Sequence, residues 1–243
     1  MKFTTSWDDG YFSDLQLGDL LTEHGAKGTF YICPVAQHGQ QMLTKEQARA
    51  LSATHEIGAH SVTHPKLTKV SPEQARTEIR DSKTWVEEIT GKPCTMFCYP
   101  YGDHNAAVAS IVREEGYRGA RTVEQYKFRG SDPFMLPTSL HLYPFPFRPV
   151  LSRRVIDPLR RALPSARALG IPLTSLRGWL PFAKALFRKA HDQGEPWFHL
   201  FGHSAEVEKF AMWEHLESFL QYVRTFPDVS HVPNSALISD HRS

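Results

Sequence analysis

Cysteine is scarce in this chain of 243 residues: Cys33, Cys94 and Cys98 make an odd set with no CxxC pair. A disulfide framework and a thiolate metal cluster are set aside, and all three are expected to be small buried hydrophobes. A run of apolar residues long enough to cross a bilayer is missing too. Net charge is nearly absent, with 28 Lys and Arg against 26 Asp and Glu. With no recognised binding motif, that balance argues against a nucleic-acid partner. Internal repeats and low-complexity segments are lacking. The N-terminus, Met1-Lys2-Phe3-Thr4, reaches a candidate functional acid by Asp8, which leaves no room for a cleaved leader. The expectation is a cytoplasmic protein.

What is present is globular composition, 41% hydrophobic and 22% charged, enough to bury a core. The length suits one α/β barrel or two small domains. Strand and helix signals alternate over the first 120 residues. Strands are expected at Lys2–Trp7, Gly28–Cys33, Glu56–Ala59, Thr95–Tyr99 and Tyr117–Thr122, with helices at Asp14–His24, Thr44–Ala53, Ser71–Thr90 and Asn105–Glu115. Thr44 with Gln47, and Ser71 with Pro72 and Gln74, are helix-start signatures. Further strands are expected around Met135–Leu142 and at Pro196–Gly202, and one helix over Glu206–Thr225. The rhythm implies a mainly parallel sheet covered by helices.

Residues 148–189 stand apart. They hold ten Lys or Arg against the single acid Asp157, a formal excess of nine. Prolines break the stretch into short helices. It reads as a basic helical connection or insertion within a single domain of residues 1–243. Either it is a solvated set of helices, or its cations attract an anionic partner. Phe145, Phe147, Leu151, Val155 and Leu159 interleave with the charges, as core packing or as peripheral contact with an anionic membrane face.

Chemistry concentrates in three segments, each ending a strand-like run: Ser6-Trp7-Asp8-Asp9-Gly10, His60-Ser61-Val62-Thr63-His64 and Phe201-Gly202-His203-Ser204. If Asp8 and Asp9 continue a strand, they point oppositely, and one can bind a metal while the other faces substrate. A solvated turn is the alternative for Asp-Asp-Gly. His60 and His64 would share a face in a helical turn, though the chain has 13 histidines and either could be an ordinary surface residue. With Asp9 they form an Asp-His-His set suited to Zn²⁺, and also to Fe²⁺, Co²⁺ or Mn²⁺. By period two, Trp197, His199, Phe201 and His203 share one face of the last strand. His203 lies at its functional end, and His199 is expected deeper, in the core or behind the site.

These segments resemble the polysaccharide deacetylase family, also called NodB-homology or carbohydrate esterase 4. Ser6-Trp7-Asp8-Asp9-Gly10 stands where that family has Thr-Phe-Asp-Asp-Gly. His60 to His64 matches its His-Ser/Thr-x-x-His, Phe97 to Gly102 its Arg-x-Pro-Tyr-Gly region, and Phe201 to Ser204 its Leu-x-His segment. The resemblance implies a distorted, incomplete (β/α) barrel with mainly parallel strands. It implies metal-dependent removal of an N-acetyl or N-formyl group from an amino sugar or glycan precursor. Asp8 would be the general base, Asp9, His60 and His64 the metal ligands, and His203 the general acid. The Tyr101 N–H would hold the oxyanion, with Trp7, Pro100, Tyr101 and Gly102 along the substrate groove.

Two departures stand out. Cys98 replaces the family arginine that orients the catalytic Asp, and the Asp-x-x-x-Asp-Trp motif that supports the catalytic His is absent around Gly119–Val123. Arg121 could supply the missing cation to Asp8, or serve as a substrate-binding or surface residue. Glu206 or Asp132 could orient His203. The basic stretch adds the expectation of a phosphate-bearing or lipid-linked substrate. The alternatives are an amidase for a small cyclic amide or ureide, and a non-catalytic carbohydrate-binding protein.

Overall fold

In the computed structural model, which describes residues 1–35, 39–149 and 152–241, all strand pairs of the main sheet run parallel. The strands are β1 (Lys2–Asp9), β2 (Gly28–Ile32), β3 (Glu56–Ala59), β4 (Met96–Cys98), β5 (Gly119–Arg121), β6 (Leu140–His141), β7 (Trp197–Gly202) and β8 (Ser230–His231). Their order is β5-β4-β3-β2-β1-β7-β6, with β8 added beside the start of β1. The sheet curls into a distorted, incomplete barrel. Its open side is crossed by residues 136–141. At one end the Leu136 N–H donates to Ala120 O at 2.9 Å, and further along the Ser139 N–H donates to His199 O at 2.8 Å. The strand expected around Met135–Leu142 is thus reduced to a bridge at Leu136 and the short β6.

Helices α1 (Asp14–Glu23), α2 (Lys45–Leu51), α3 (Pro72–Thr90) and α4 (Ala106–Glu114) connect the first five strands. Their starts follow the sequence. Thr44 and Gln47 form a reciprocal capping box, and Ser71 and Asn105 accept the N–H groups of Gln74 and Val108. Such caps each contribute about 0.5–2 kcal/mol. The basic connection becomes α5 (Asp157–Ala168) and α6 (Trp179–Asp192), with one 3₁₀ turn before α5 and one between the two helices; Leu151 lies outside the described residues. Among the described residues, no helix is long and apolar enough to cross a membrane.

Strand alternation sorts the core. Phe30, Phe97, Phe198 and Leu200 join the large cluster under the helices. Their neighbours Tyr31, Met96, Cys98 and Trp197 turn to a smaller cluster inside the curl, closed by Leu136, Leu237 and Ile238. The three cysteines are buried thiols.

The helix expected over Glu206–Thr225 is corrected to two. α7 (Ser204–Lys209) and α8 (Trp213–Val223) are separated by a turn in which Ala211 takes φ 51°. Leu216, Phe219, Leu220 and Val223 of α8 face the core. The continuous apolar periodicity hid the break because the turn residue Met212 is itself buried.

Candidate active site

Parallel strands bring their C-terminal ends to one rim, where functional residues of α/β folds collect. Here that rim holds the ends of β1, β3, β4, β5 and β7. One cleft is lined by Asp8, Asp9, His60, His64, Tyr101 and His203, among others.

β1 continues through both acids, but Asp9 already has φ 82° and Gly10 φ 85°. Gly10 is required twice over, because a Cβ there would also meet Ile32 Cγ2 at 2.7 Å. The turn separates the two carboxylates. Asp8 reaches the inside of the curl, where Arg121 Nη2 donates to its Oδ1. Cys98 Sγ lies 3.8 Å from both Asp8 oxygens. Asp9 turns to the histidines. Its Oδ2 accepts the Tyr11 hydroxyl at 2.6 Å, and its buried Oδ1 has no hydrogen-bond partner.

His60 and His64 do not share a helical turn, as their spacing suggests. They sit in a loop where Ser61 and His64 take φ 61° and 58°. The loop is held from α3. Glu78 Oε2 accepts the N–H groups of Val62 and Thr63, each at 2.8 Å, and Oε1 accepts the Thr63 hydroxyl at 2.6 Å. The Ser61 hydroxyl accepts the His64 N–H at 3.0 Å. The two Nε2 atoms end 3.1 Å apart, and Asp9 Oδ1 lies 3.6 Å from His60 Nε2 and 3.4 Å from that of His64.

This donor set fits a divalent metal. His60 Nδ1 donates to the Cys98 carbonyl at 2.8 Å, which leaves its Nε2 lone pair facing the cluster. Burial keeps both imidazoles neutral, His60 below the ordinary value and His64 at about 4. A carboxylate oxygen without a hydrogen-bond partner beside two neutral nitrogens is an arrangement a cation completes.

Arg121 is fully buried. Its guanidinium lies between the Tyr31 and Phe201 rings, 5.3 and 5.1 Å from their centroids. Burial opposes the Asp8 charge, but Arg121, with smaller contributions from His60 and His203, outweighs it and holds the carboxyl well below the usual range. Arg121 thus stands in contact with Asp8 from β5, while Cys98 fills the position on β4.

β7 stops pairing at Gly202, and His203 becomes the residue that caps α7. Glu206, three residues on, returns to it, with Oε2 2.9 Å from His203 Nδ1. Nε2 points into the cleft, 4.0 Å from Asp8 Oδ2 and 4.0 Å from Asp9 Oδ2. Burial disfavours the imidazolium. The Glu206 hydrogen bond and charge, with both aspartates, outweigh that and raise the pKa to about 9. Asp132 is not at this site; it accepts the Phe134 N–H and sits near Arg113. His199 lies behind the site, its Nε2 2.8 Å from the Ser6 hydroxyl.

Along the groove the placements divide. Tyr101, at φ 58°, is 54% exposed and its ring meets His64 edge-on at 4.5 Å; Gly102 lies beside it in the cleft wall. Two expectations are corrected. Trp7 is wholly buried, its Nε1 donating to Thr5 Oγ1 at 3.0 Å, and Pro100 is buried under the turn. Trp7 alternates away from the rim because Asp8 takes the inward position.

Asp9, Ser61, His64 and Tyr101 share a backbone conformation that costs of order 1–3 kcal/mol per residue. Only Tyr126 and Ala211 join them among the described non-glycine residues. Strain gathered at one rim marks a site held in shape by its surroundings.

Sequence reasoning missed Tyr11, Glu78 and His141. His141 stacks on Phe201 at 4.4 Å and approaches Glu206 Oε2 at 3.4 Å. A histidine in the weak strand signal before Leu142 was the available cue. Tyr11 follows a turn and Glu78 sits in a helix, so neither had one.

Comparison with known proteins agrees with this geometry. The polysaccharide deacetylase profile matches residues 2–120. Residues 2–120 thus match the polysaccharide deacetylase family, over just under half of the chain. Over 132 residues it is 30% identical to the peptidoglycan-N-acetylglucosamine deacetylase PgdA of Listeria monocytogenes, covering 54% of this chain and 28% of PgdA. A Pestalotiopsis chitin deacetylase is 28% identical over 116 residues, covering 47% of this chain and 39% of that protein. The chain spans less than half the length of the curated relatives it matches. In fold, it is similar to a Mycobacterium smegmatis protein assigned to the polysaccharide deacetylases, with a TM-score of 0.67 and 16% identity over 99% of this chain and 90% of that one. A family pseudoenzyme from Bacillus anthracis also shares the fold, with a TM-score of 0.57 and 14% identity over 98% of this chain and 65% of that chain. Fold alone therefore does not separate active from inactive members, and the side chains must.

Proposed function

We propose that this deacetylase-family chain hydrolyses the amide of an N-acetyl or N-formyl amino sugar, with one divalent metal, zinc by preference, held by Asp9, His60 and His64. The observation that carries the reading is the convergence, in one cleft, of that ligand trio with an ion-paired carboxylate and a glutamate-bound imidazole. A bound divalent ion would polarise the acyl carbonyl and lower the pKa of water.

The remaining work falls to the chain's own groups. Asp8, kept ionised by Arg121, accepts a proton from the attacking water. Tyr101 offers its backbone N–H to the oxygen where negative charge grows. His203, protonated at neutral pH, delivers a proton from Nε2 to the leaving amine while Glu206 holds Nδ1. The pairing is suited to an amide, whose nitrogen leaves only after protonation.

The substrate proposed is a glycan precursor bearing a phosphate, supported by the basic connection beside the cleft. Purified, metal-loaded protein should be offered N-acetylglucosamine oligomers, a nucleotide-linked N-acetyl sugar, a lipid-phosphate-linked N-acetyl sugar and small cyclic amides. Release of acetate or formate with an equal amount of sugar amine is expected, fastest from the phosphate-bearing sugars. Turnover of cyclic amides alone would replace the deacetylase reading with the amidase one. Sugar binding without turnover of any substrate would leave a non-catalytic carbohydrate-binding protein.

A further inference from the structure

We propose that Arg148 and Arg161 form an anion subsite beside the candidate catalytic cleft that takes a phosphate ester carried by the substrate. The word substrate rests on the deacetylase reading above; the subsite itself rests on separate observations.

The structure sorts the cations of the basic connection. Arg153, Arg154, Arg160, Arg167, Arg177 and Arg188 are exposed to solvent and do not line the cleft. Arg148 and Arg161 are the members of the connection that line the cleft of Asp8 and His203. The same two residues line a second, narrower pocket that opens beside it, with Gln125 and His141 common to both. No Asp or Glu is among the residues lining that second pocket.

Arg148 is positioned yet unsatisfied, and Arg161, itself exposed, stands at the rim of both pockets. The Arg148 N–H donates to Val155 O at 2.7 Å, which ties its loop to the turn leading into α5, where Arg161 resides. The Arg148 guanidinium lies 5.4 Å from the Tyr143 ring centroid, and its Nε is buried with no hydrogen-bond partner. Among the described residues, no carboxylate lies within ion-pair reach of either arginine. A buried N–H without an acceptor is costly and uncommon in native structures. An oxyanion would supply that acceptor. Guanidinium groups from two elements suit a phosphate, which presents several acceptor oxygens to planar donor forks.

The consequence is a substrate with two ends: the acyl amide beside Asp9, His60 and His64, and a phosphate beside Arg148 and Arg161. The shared chemistry is a phosphate ester, nucleotide-linked or lipid-linked.

Calorimetry and kinetics test this on the full chain as purified. Methyl phosphate, inorganic pyrophosphate and acetate are titrated into wild type, R148Q/R161Q and R153Q/R154Q, with metal content and melting temperature recorded for each. The R148Q/R161Q variant should bind the phosphate probes roughly 10- to 100-fold more weakly. R153Q/R154Q should match wild type, and R148K/R161K, which keeps the charge without the fork, should fall between. Equal phosphate binding in wild type and R148Q/R161Q would overturn the proposal, since the anion would then be held elsewhere. Equal weakening in R153Q/R154Q would overturn it in favour of diffuse surface charge. Acetate binding as tightly as phosphate would make it a carboxylate site. In the kinetic arm, R148Q/R161Q should raise KM for nucleotide-linked and lipid-phosphate-linked N-acetyl sugars with kcat little changed, and leave neutral oligomers unaffected. If nothing is turned over, the deacetylase reading fails while the calorimetry still decides the subsite.

Discussion

The segment matched by the family profile, residues 2–120, and the remainder of the chain contribute differently to the same cleft. The first half supplies Asp8, Asp9, His60, His64 and Tyr101 from successive strand ends of β1, β3 and β4. The second supplies His203 and the groups that set charge states in the cleft: Arg121 holds Asp8 ionised, and Glu206 raises the pKa of His203. The candidate metal donors come from a contiguous run of strand–helix units, and their support is also local: Glu78 of α3 fixes the histidine loop. The tuning groups come from β5 and from the turn into α7 after β7, far along the chain, and reach the end of β1 only by sheet pairing and curl. A cation over Asp8 can stand on β4 or on β5, because both strand ends face the same carboxylate. The metal set has less freedom, since three donors must meet at one point.

The sharpest break of that comparison removes the first half's ligands. His60→Ala with His64→Ala should abolish metal binding, from about one equivalent to none by elemental analysis, and take activity to background. Retention of metal by the double variant would move the site elsewhere.

Next in size is the contact across the two halves. Asp8→Asn should lower kcat roughly 10²- to 10⁴-fold while metal content is unchanged. Arg121→Gln should destabilise the fold by about 3–5 kcal/mol, because it leaves a buried carboxylate without its cation. The double variant should recover part of that loss in denaturant unfolding. Additive effects would mean that the pair in contact is not coupled.

The smallest effect is on pH dependence. His203 has a folded pKa of about 9 against an ordinary 6.5, so the proton it is proposed to donate is present at neutral pH and lost as pH rises through about 9. Its contribution to stability has the same sign: full below the ordinary value, gone above the raised one. Glu206→Gln keeps a hydrogen-bond acceptor but removes the charge. The basic limb of the kcat profile should move down from about 9 toward 6.5. An unmoved limb would assign it to another group.

The half nearer the N-terminus was also the more legible. Caps at Thr44 and Ser71, and the strand closing at Ala59, could be read directly because they depend on neighbours one to four residues away; β1 runs two residues past the expected end at Trp7. The break at Ala211 could not be, since an apolar stripe runs across it. His60 and His64 were legible as a pair, but their loop was not: the Val62–Thr63 segment between the positive-φ residues Ser61 and His64 is held by Glu78, 15 residues or more away. Trp7 was expected along the groove from the family resemblance, but period-two alternation turns it to the helix-covered face, opposite Asp8.

By itself the sequence determined the strand–helix rhythm, the donor types and their order along the chain. Those are local properties, set by side-chain period, capping and residue chemistry. Tertiary structure decided that Arg121 meets Asp8 and Glu206 meets His203, which Asp9 oxygen is left free by Tyr11, and which two of the ten cations in the basic stretch line the cleft. Each of those outcomes depends on how far a parallel sheet curls and where its open side is crossed. That geometry is fixed by packing between residues more than a hundred positions apart, and no short stretch of sequence carries it.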